Sequence, residues 1–338
     1  DGEIDRLLDK RFGREVIPTG EAANQLQLFQ DGPRREAAWN LRRKFDQREY
    51  EWDAGTRVEV IEQGPVRAAV RITRRYRQSR LQQDIVLYDQ IPRIDFITQV
   101  DWEERQVMLK VAFPVAVRAM RAAFEIQFGA VERPTHRNTS WDQEKFEVCA
   151  HHWADLSEAG YGVSLLNDCK YGYDVEGNVL RLTLLRSPES PDPDADRGHH
   201  TFTYALLPHV GDWTDGETVR QGWALNTPLV SLPGSEGEGS LPSSRAFFEV
   251  EGDAVLQTIK PAEEGAGLIL RLYEPHGGRG KASVRIPWRL QEGITCNHVE
   301  EDGAVQSFED RIFTFPIGPF EVRTFRVLPA GETLDERE

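Results

Sequence analysis

Apolar and polar residues alternate with a period of two along most of this chain. The run 66–77 places Val66, Val70 and Ile72 on one face of an extended segment and Arg71 on the other. This alternation is typical of a half-buried antiparallel strand. The same pattern predicts strands over residues 3–9, 24–29, 57–61, 66–77, 82–88, 93–102, 106–113, 123–128, 161–166, 179–185 and 201–207.

Turn residues punctuate these strands at intervals of roughly 8–12 residues, which is typical of a large β-sandwich rather than an alternating helix–strand fold. An acidic Gly/Ser-rich stretch, 233–240, follows and predicts a mobile linker. A second group of strands is predicted over 246–250, 255–260, 267–273, 281–286 and 320–327, with 277–280 as a hairpin turn. The chain is therefore predicted to be all-β, with domains at 1–232 and 245–338 and a linker at 233–244.

The composition of the chain limits which partners it is expected to bind and in which compartment it is expected to occur. The 338 residues carry a formal charge of −15, which disfavours a nucleic acid as partner. No apolar run reaches the length of about 18 residues that a membrane span needs, and the first residues do not resemble a signal peptide. The three cysteines are few and widely spaced, so they predict free thiols and a cytoplasmic protein. The oligomeric state is left open, with a homo-oligomer as one option.

The stretch 133–172 holds the densest group of residues with binding chemistry. Loops at the ends of strands often carry binding residues, and aromatic rings such as Trp141 and Tyr171 suit the apolar face of a sugar. The alternative is that the histidines pack or cap and that Asn167 and Asp168 only form a turn. The polar residues of this stretch are Thr135, His136, Asn138, Asp142, Asn167, Asp168 and Lys170.

Several catalytic templates are absent from the sequence. It contains no G-x-S-x-G, Walker or H-E-x-x-H motif. The adjacent histidines, His151 with His152 and His199 with His200, make weak zinc pairs because neighbouring strand residues point to opposite faces. A pair of catalytic carboxylates could be drawn from several aspartates, but the sequence does not define their separation.

Arg186 ends a predicted apolar strand, where its guanidinium must face solvent or a carboxylate. The following loop supplies Asp192, Asp194 and Asp196, any of which could hold that guanidinium. Arg186, Asp196 and Arg197 are thus predicted to form a polar rim together with the loop 133–141. A surface Arg–Asp pair without function is the alternative, and replacing Arg186 is expected to leave the fold stability nearly unchanged.

The chain resembles the C-terminal half of glycoside hydrolase family 38 α-mannosidases, most closely the cytosolic and bacterial branch. The resemblance implies a galactose-mutarotase-like β-supersandwich followed by a smaller β-sandwich. It also implies that the zinc ligands and the aspartate nucleophile lie in an N-terminal catalytic domain, since no His-x-Asp pair of the family's kind occurs here. It further implies that Arg186 reaches into the mannose pocket. The matching stretches are 13–15, 24–31 with Pro33, 133–136, 141–142, 145–147, 153–157, 166–172, 222–226, 260–263 and 270–274.

One segment departs from the family pattern. The family commonly shows Trp-Asp-Ala-Trp before an Asp or Asn, whereas this chain reads Glu36-Ala37-Ala38-Trp39-Asn40. Loss of the first Trp and Asp puts a substrate or interdomain role of this segment in doubt.

Three functions compete. The first is the non-catalytic C-terminal β region of a zinc-dependent retaining α-mannosidase, which acts on terminal α-mannosides together with an N-terminal catalytic domain; the chain is then a fragment or a split subunit. The second is a stand-alone carbohydrate-binding or mutarotase-like module, which needs an internal acid and base such as His136 with Asp168. The third is a scaffold without sugar affinity. The predicted substrate-binding residues are Arg186, Asp196, Arg197, His136, Asn138, Trp141, Asp142, Asn167 and Asp168, with no catalytic or metal-binding residue in the chain.

Overall fold

The computed structural model describes residues 2–32, 35–234, 239 and 242–330. Strands dominate this part of the chain, which confirms the predicted all-β class. Residues up to Ile126 together with Val131–Pro228 form one compact unit, and Gln127–Ala130 together with the residues from Leu229 onward form another. None of the described helices is both long enough and apolar enough to span a membrane.

The first unit contains seventeen strands, two short α-helices and a 3-10 helix at Phe45–Gln47 in its described part. In chain order they are β1 (Leu8–Asp9), β2 (Arg14–Glu15), β3 (Gln25–Gln30), β4 (Glu49–Tyr50), β5 (Arg57–Gln63), β6 (Arg67–Tyr76), β7 (Ser79–Tyr88), β8 (Ile94–Trp102), β9 (Val107–Pro114), β10 (Arg121–Ile126), β11 (Gly129–Pro134), α1 (Ser140–Gln143), β12 (Val148–Cys149), β13 (Trp153–Glu158), β14 (Tyr161–Asn167), β15 (Gly172–Glu176), β16 (Val179–Leu185), β17 (Gly198–Val210) and α2 (Thr218–Asn226).

Two antiparallel sheets build the large sandwich. The order of the nine-stranded sheet is β11-β10-β13-β14-β17-β8-β7-β6-β5, and that of the six-stranded sheet is β12-β15-β16-β9-β3-β4. The short strands β1 and β2 pair separately as a hairpin. Consecutive strands β16 and β17 belong to different sheets, so the Pro/Asp loop 186–197 crosses from one sheet to the other.

The alternation of β9 shows how the six-stranded sheet is buried on both faces. Val107, Leu109 and Val111 point into the core between the sheets, because side chains of a strand alternate between its two faces. Met108 and Lys110 point outward and are nevertheless fully buried. A small hydrophobic core on the outer face of the sheet covers them. In this core Met108 packs with Phe29 and Phe45, and Leu41 and Phe146 flank the three residues. Residues 41–47 and the loop after α1 are thereby held on the outer face of this sheet.

Helix α2 covers part of the outer face of the nine-stranded sheet through a buried polar network. His209 Nε2 lies 2.7 Å from Asp155 Oδ2, and Ser164 Oγ donates to the same carboxylate oxygen over 2.8 Å. Ser164 Oγ is also 2.8 Å from the hydroxyl of Thr218 at the start of α2. All four side chains are buried, so each needs these partners. The sequence pattern indicated neither α2 nor β13.

The predicted inward face of residues 66–72 is only partly correct. Ile72 is buried, whereas Val66, just before β6, is 72 % exposed. Val58 and Val60 of the neighbouring edge strand β5 are also exposed. Periodicity identified the strand and its two faces, but the burial of each position depends on how far the opposite layer extends along the strand.

The second unit is the predicted smaller sandwich. Its strands are β18 (Glu249–Gly252), β19 (Val255–Pro261), β20 (Leu268–Tyr273), β21 (Gly280–Arg285), β22 (Leu290–Cys296), β23 (Asp302–Val305), β24 (Ile312–Ile317) and β25 (Val322–Pro329). They form a three-stranded sheet, β18-β21-β24, and a five-stranded sheet, β19-β20-β25-β22-β23. Phe313, Phe315 and Phe325 lie at the centre of its core, with ring centroids 4.7–6.0 Å apart.

The predicted hairpin at 277–280 is wrong. Strands β20 and β21 belong to different sheets, so this loop is a crossover. The buried carboxylate of Glu274 organises it by accepting backbone N–H bonds from His276, Gly277 and Phe320 over 2.7–3.0 Å. Half of the predicted linker at 233–244 falls outside the described residues, and its predicted mobility stays a prediction.

Candidate functional site

Arg186 lies directly after β16 and is held by two groups from the segment that follows β3. Its Nε and Nη2 atoms donate to the two carboxylate oxygens of Asp31 over 3.1 and 2.9 Å. Nη2 also donates to the carbonyl of Asn40 over 2.8 Å. The Asp31 side chain is almost fully buried, and that burial raises its pKa, while the hydrogen bond from Arg186 opposes the rise. The guanidinium plane is therefore fixed by a bidentate pair.

The predicted partners of Arg186 in the loop 192–196 have other roles. Asp196 Oδ2 accepts the backbone N–H groups of Arg186 and Ser187 over 3.0 and 3.1 Å, so it shapes the turn and does not touch the guanidinium. Asp194 pairs with Arg105 and Arg197, and Asp192 Oδ1 accepts the backbone N–H of Asp194. The prediction that an aspartate of this loop pairs with the Arg186 guanidinium is therefore wrong. The partner is Asp31.

Arg197 lies at the surface and makes two ion pairs. Its Nη1 contacts Asp194 over 2.9 Å, and its Nη2 contacts Glu103 over 2.6 Å. Arg197 therefore braces the crossover loop from outside, whereas the carboxylate of Asp196 acts inside the turn.

Residues 36–40 carry the departure from the family motif and lie beside Arg186. Ala37 is buried, and the backbone N–H of Ala38 donates to the carbonyl of Ser190 in the crossover loop over 3.2 Å. Trp39 is 71 % exposed, next to Asn40, whose carbonyl holds Arg186. The segment thus places the solvent-exposed indole ring of Trp39 close to Arg186.

The predicted residues His136, Asn138, Trp141 and Asp142 lie together in the loop that carries α1. Thr139 and Asp142 form a capping box: Asp142 N–H donates to the Thr139 hydroxyl oxygen, and Asp142 Oδ2 accepts from the Thr139 backbone N–H and hydroxyl. The hydrogen bond from Thr139 holds the pKa of Asp142 below its usual value. Asp142 is therefore a structural cap, with His136 Nδ1 3.6 Å from its Oδ2. Trp141 is 81 % exposed.

An ion pair links this loop to the segment beside Arg186. Arg43 Nη1 donates to Glu144 Oε1 over 3.0 Å. The segment runs from Asn40, bonded to Arg186, to Arg43, bonded to the α1 loop. We call the outer surface made by Arg186, Trp39, residues 40–47 and the loop 136–146 the Arg186 surface. Arg186 and the α1 loop are linked on it only through the contacts of Asn40 and Arg43. The rim predicted from the sequence, which also includes Asp196 and Arg197, stays a prediction.

Asn167 and Asp168 make their hydrogen bonds to residues outside the Arg186 surface. The buried Asn167 amide donates to the carbonyl of His151 and the hydroxyl of Tyr173 and accepts from the Lys170 N–H. Asp168 Oδ2 accepts the backbone N–H of Thr203 over 2.8 Å. The substrate-contact role predicted for Asn167 does not fit its burial, and the turn-forming alternative describes both residues better.

Acid–base and metal chemistry find little support in the described residues. His136 faces Asp142, while Asp168 binds Thr203, so the acid–base pair suggested for a mutarotase-like module does not form. In the described ranges, no three or more His, Cys, Asp or Glu side chains are grouped closely enough to hold a metal ion. Cys149, Cys169 and Cys296 are all free thiols.

The residues that sequence reasoning missed are Asp31 and Asn40. Asp31 stands just after β3, the position at a strand end that signalled other binding residues. Its pairing with Arg186 joins positions 155 residues apart and has no local signature.

Comparison with known proteins identifies the lineage. Residues 1–194 match the family description "Glycosyl hydrolases family 38 C-terminal domain", and residues 253–325 match "Glycosyl hydrolases family 38 C-terminal beta sandwich domain". The chain belongs to glycosyl hydrolase family 38. It is 40% identical over 328 residues to Alpha-mannosidase 2C1 of Homo sapiens, covering 95% of this chain and 31% of that protein. The predicted family and the two-sandwich fold are confirmed.

Other members of family 38 give the same result. The chain is 38% identical over 344 residues to Alpha-mannosidase G of Dictyostelium discoideum, covering 97% of this chain and 31% of that protein. Alpha-mannosidase of Saccharomyces cerevisiae is 30% identical over 370 residues, which cover 96% of this chain and 33% of that protein. This family 38 chain thus spans about a third of the length of these relatives. A solved family 38 protein from Enterococcus faecalis shares the fold, with a TM-score of 0.76, 16% identity, and 95% of this chain and 41% of that chain covered.

Proposed function

We propose that this chain is the non-catalytic C-terminal β region of a zinc-dependent retaining α-mannosidase that hydrolyses terminal α-mannosides. The relatives named as α-mannosidases match it over nearly its whole length but extend to about three times that length. In this proposal an N-terminal catalytic domain is its partner and supplies the nucleophile. Family 38 membership supports the reaction, and the Arg186 surface supports a contact with the sugar.

Zinc, in this proposal, belongs to the catalytic domain. Among the described residues no group of three His, Cys, Asp or Glu side chains is placed to hold a metal ion, and His136, the histidine on the Arg186 surface, faces a carboxylate that caps a helix. The described residues therefore do not fit a zinc ion, and we assign them no step that depends on one.

The observation that carries the proposal is the free edge of Arg186. Its Nε and Nη2 atoms are occupied by Asp31 and Asn40, whereas Nη1 makes no hydrogen bond to any described residue. The side chain is 20 % exposed. The two N–H groups of Nη1 can therefore donate to a ligand oxygen while the bidentate pair keeps the guanidinium in place.

This arrangement suits a sugar hydroxyl better than a flexible arginine would. A guanidinium already held in position loses little rotational freedom when it binds, so more of the hydrogen-bond energy contributes to affinity. Because Asp31 neutralises the charge, the site favours a neutral hydroxyl over a second carboxylate. The exposed rings of Trp39 and Trp141 offer apolar faces for sugar rings on the same surface.

The test uses the enzyme that contains this chain together with its catalytic domain. Arg186→Lys keeps a positive charge beside Asp31 but removes the Nη1 donors. We expect kcat/KM for an aryl α-mannoside to fall by roughly tenfold or more, the equivalent of one charged hydrogen bond, about 1.5–3 kcal/mol. The matched control is Arg105→Lys, which alters an exposed arginine paired with Asp194. An unchanged kcat/KM for Arg186→Lys would refute the contact with the substrate.

A second test asks whether this chain is catalytically inactive without the catalytic domain. The 338-residue chain by itself is expected neither to bind zinc stoichiometrically nor to cleave an aryl α-mannoside. Metal analysis of the purified chain and an assay at high protein concentration check both points, and either zinc or turnover would contradict the non-catalytic role.

The three free thiols support a cytoplasmic location as part of this proposal.

A further inference from the structure

A pocket of about 370 Å³ opens on the outer face of the six-stranded sheet. This volume lies in the range of about 300–1,000 Å³ that is typical of small-ligand sites. Its floor is formed by Asp174 of β15 and Arg181 of β16, and its walls by Arg137, Gln143 and Phe146 from the α1 loop. Residues 43–47 close the remaining side.

The charges in this pocket are unusual for such an acidic chain. Four cationic side chains line it, Arg43, Lys44, Arg137 and Arg181, against three anionic ones, Asp46, Asp174 and Glu176. The whole chain carries a net charge of −15. Since Arg43 is also paired with Glu144, the charges around the pocket nearly balance, in contrast to the strongly negative chain as a whole. The attraction for an anion comes from the two arginines that share Asp174.

The two deep arginines have unused hydrogen-bonding capacity. Arg181 Nη1 lies 3.4 Å from Asp174 Oδ1, and Arg137 Nη2 lies 4.0 Å from the same oxygen. Charge-assisted N–H···O bonds are normally about 2.7–2.9 Å long, so neither contact is a full one. Lys110 shares Asp174 as well, at 3.4 Å, although its shorter contact is with Glu147. One buried carboxylate is thus divided among three cations.

Both arginines are positioned before any ligand arrives. Arg181 stands on β16, and its Nε donates to Gln27 of the same sheet over 3.3 Å. Arg137 precedes the capping box of α1, and its carbonyl accepts from Gln143 Nε2 over 3.4 Å. Their side chains are only 23 % and 17 % exposed. Two partly desolvated guanidiniums that converge on one cavity form a fork suited to planar or tetrahedral oxyanions.

We infer that this pocket binds a saccharide that bears a carboxylate or a phosphate group. The anionic group lies between Arg137 and Arg181, where it supplies the short contacts that Asp174 does not. The ring packs against Phe146, and its hydroxyls reach Gln47 and Gln143, which line the same pocket. The pocket shares residues 43–47, Arg137, Gln143 and Phe146 with the Arg186 surface, but Arg186 itself does not line it. The inference therefore holds whether or not Arg186 contacts an α-mannoside.

The experiment is calorimetric titration of the 338-residue chain at low salt. The probes are mannose 6-phosphate, glucuronate, D-mannose and inorganic phosphate. At least one of the two anionic sugars is expected to bind about tenfold or more tightly than D-mannose and inorganic phosphate, and to weaken as salt is added. Comparison of the two anionic sugars identifies the anionic group. Equal binding of inorganic phosphate, equal binding of D-mannose, or no binding at millimolar concentration would each overturn the inference.

Variants with opposite expected signs locate the binding in this pocket. Arg137→Gln, on a loop, is expected to weaken binding about tenfold through loss of a charged hydrogen bond. Glu176→Gln, at the exposed end of β15, removes a repulsive carboxylate and is expected to tighten binding about twofold. Arg220→Gln, an exposed arginine of α2 paired with Glu217, is the matched control and should change nothing. Unchanged affinity in correctly folded Arg137→Gln would contradict the site.

Discussion

Arg186 and Asp31 form a bidentate ion pair across 155 residues of sequence, and Asp31 is almost completely buried. The arginine therefore has two roles: it neutralises a carboxylate inside the protein and offers one free edge at the surface. This geometry reverses the expectation from sequence that loss of Arg186 leaves stability nearly unchanged. A buried charge deprived of its counter-ion is among the more costly changes in a protein.

We expect Arg186→Ala to lower the free energy of unfolding of the first unit by about 3–5 kcal/mol, because Asp31 remains buried without a partner. The double variant Arg186→Ala/Asp31→Asn should recover part of this loss. Urea unfolding followed by tryptophan fluorescence measures both, with Arg105→Ala, an exposed pair worth about 0–1 kcal/mol, as control. A double variant less stable than Arg186→Ala would show that burial of Asp31 is not the cause.

The same pair predicts how this loss depends on pH. Burial raises the pKa of Asp31 above its ordinary 3.8, and removal of Arg186 raises it further. A carboxyl whose pKa is raised by folding costs nothing below the unfolded pKa, where it is neutral in both states, and its penalty grows as pH rises above that value. The stability difference between Arg186→Ala and wild type should therefore be larger near pH 7 than near pH 5. A difference independent of pH would exclude Asp31 as the origin.

Two glycines of the β13–β14 hairpin, Gly160 in the turn and Gly162 in β14, should respond differently to alanine. A Cβ at Gly162 would collide with Ser157 Oγ and His209 Cε1, inside the buried network, whereas a Cβ at Gly160 meets nothing within 4 Å. Gly162→Ala should destabilise the protein by about 1–3 kcal/mol through overpacking. Gly160→Ala should change stability by no more than about 0.5 kcal/mol. Denaturant unfolding of the two variants tests this, and equal effects would contradict the close packing of His209.

The capping box of α1 should control the order of the loop 136–146. Thr139→Ala removes the cap, and we expect amide hydrogen exchange in this loop to become roughly fivefold faster. Because Thr139 lowers the pKa of Asp142, this support is present above the ordinary carboxyl pKa of 3.8 and is lost as pH falls through the lowered value. Ser140→Ala, the next residue along, is the control. Exchange as slow in Thr139→Ala as in Ser140→Ala would refute the role of the cap.

Glu274 should be the most sensitive carboxylate of the second unit. Its buried side chain accepts three backbone N–H groups at the crossover between the two sheets. Glu274→Ala leaves those donors unsatisfied and is expected to destabilise this unit by about 3 kcal/mol. Glu263→Ala, an exposed residue paired with Lys260, should have little effect. Comparable unfolding midpoints for the two variants would contradict the assignment.

The sequence by itself determined the all-β class, most strands, the division into a large and a small sandwich, and the family. Strand periodicity is a local property, so β6, β8 and β16 were predicted within a few residues of their observed ends. The family motifs are likewise contiguous runs of residues. Arg186 could be selected as a candidate because it ends an apolar strand, and the α1 loop because its stretch is dense in polar and aromatic residues.

Only the tertiary structure decided which of these residues meet. The partner of Arg186 is Asp31 rather than a neighbouring aspartate, Asn167 is buried, and the loop 274–279 crosses between sheets. Periodicity specifies the two faces of a strand but not the sheet it joins or the strand beside it. Those choices follow from packing of the whole core, and they place Arg137, Arg181 and Asp174 around one pocket that no short stretch of sequence reveals.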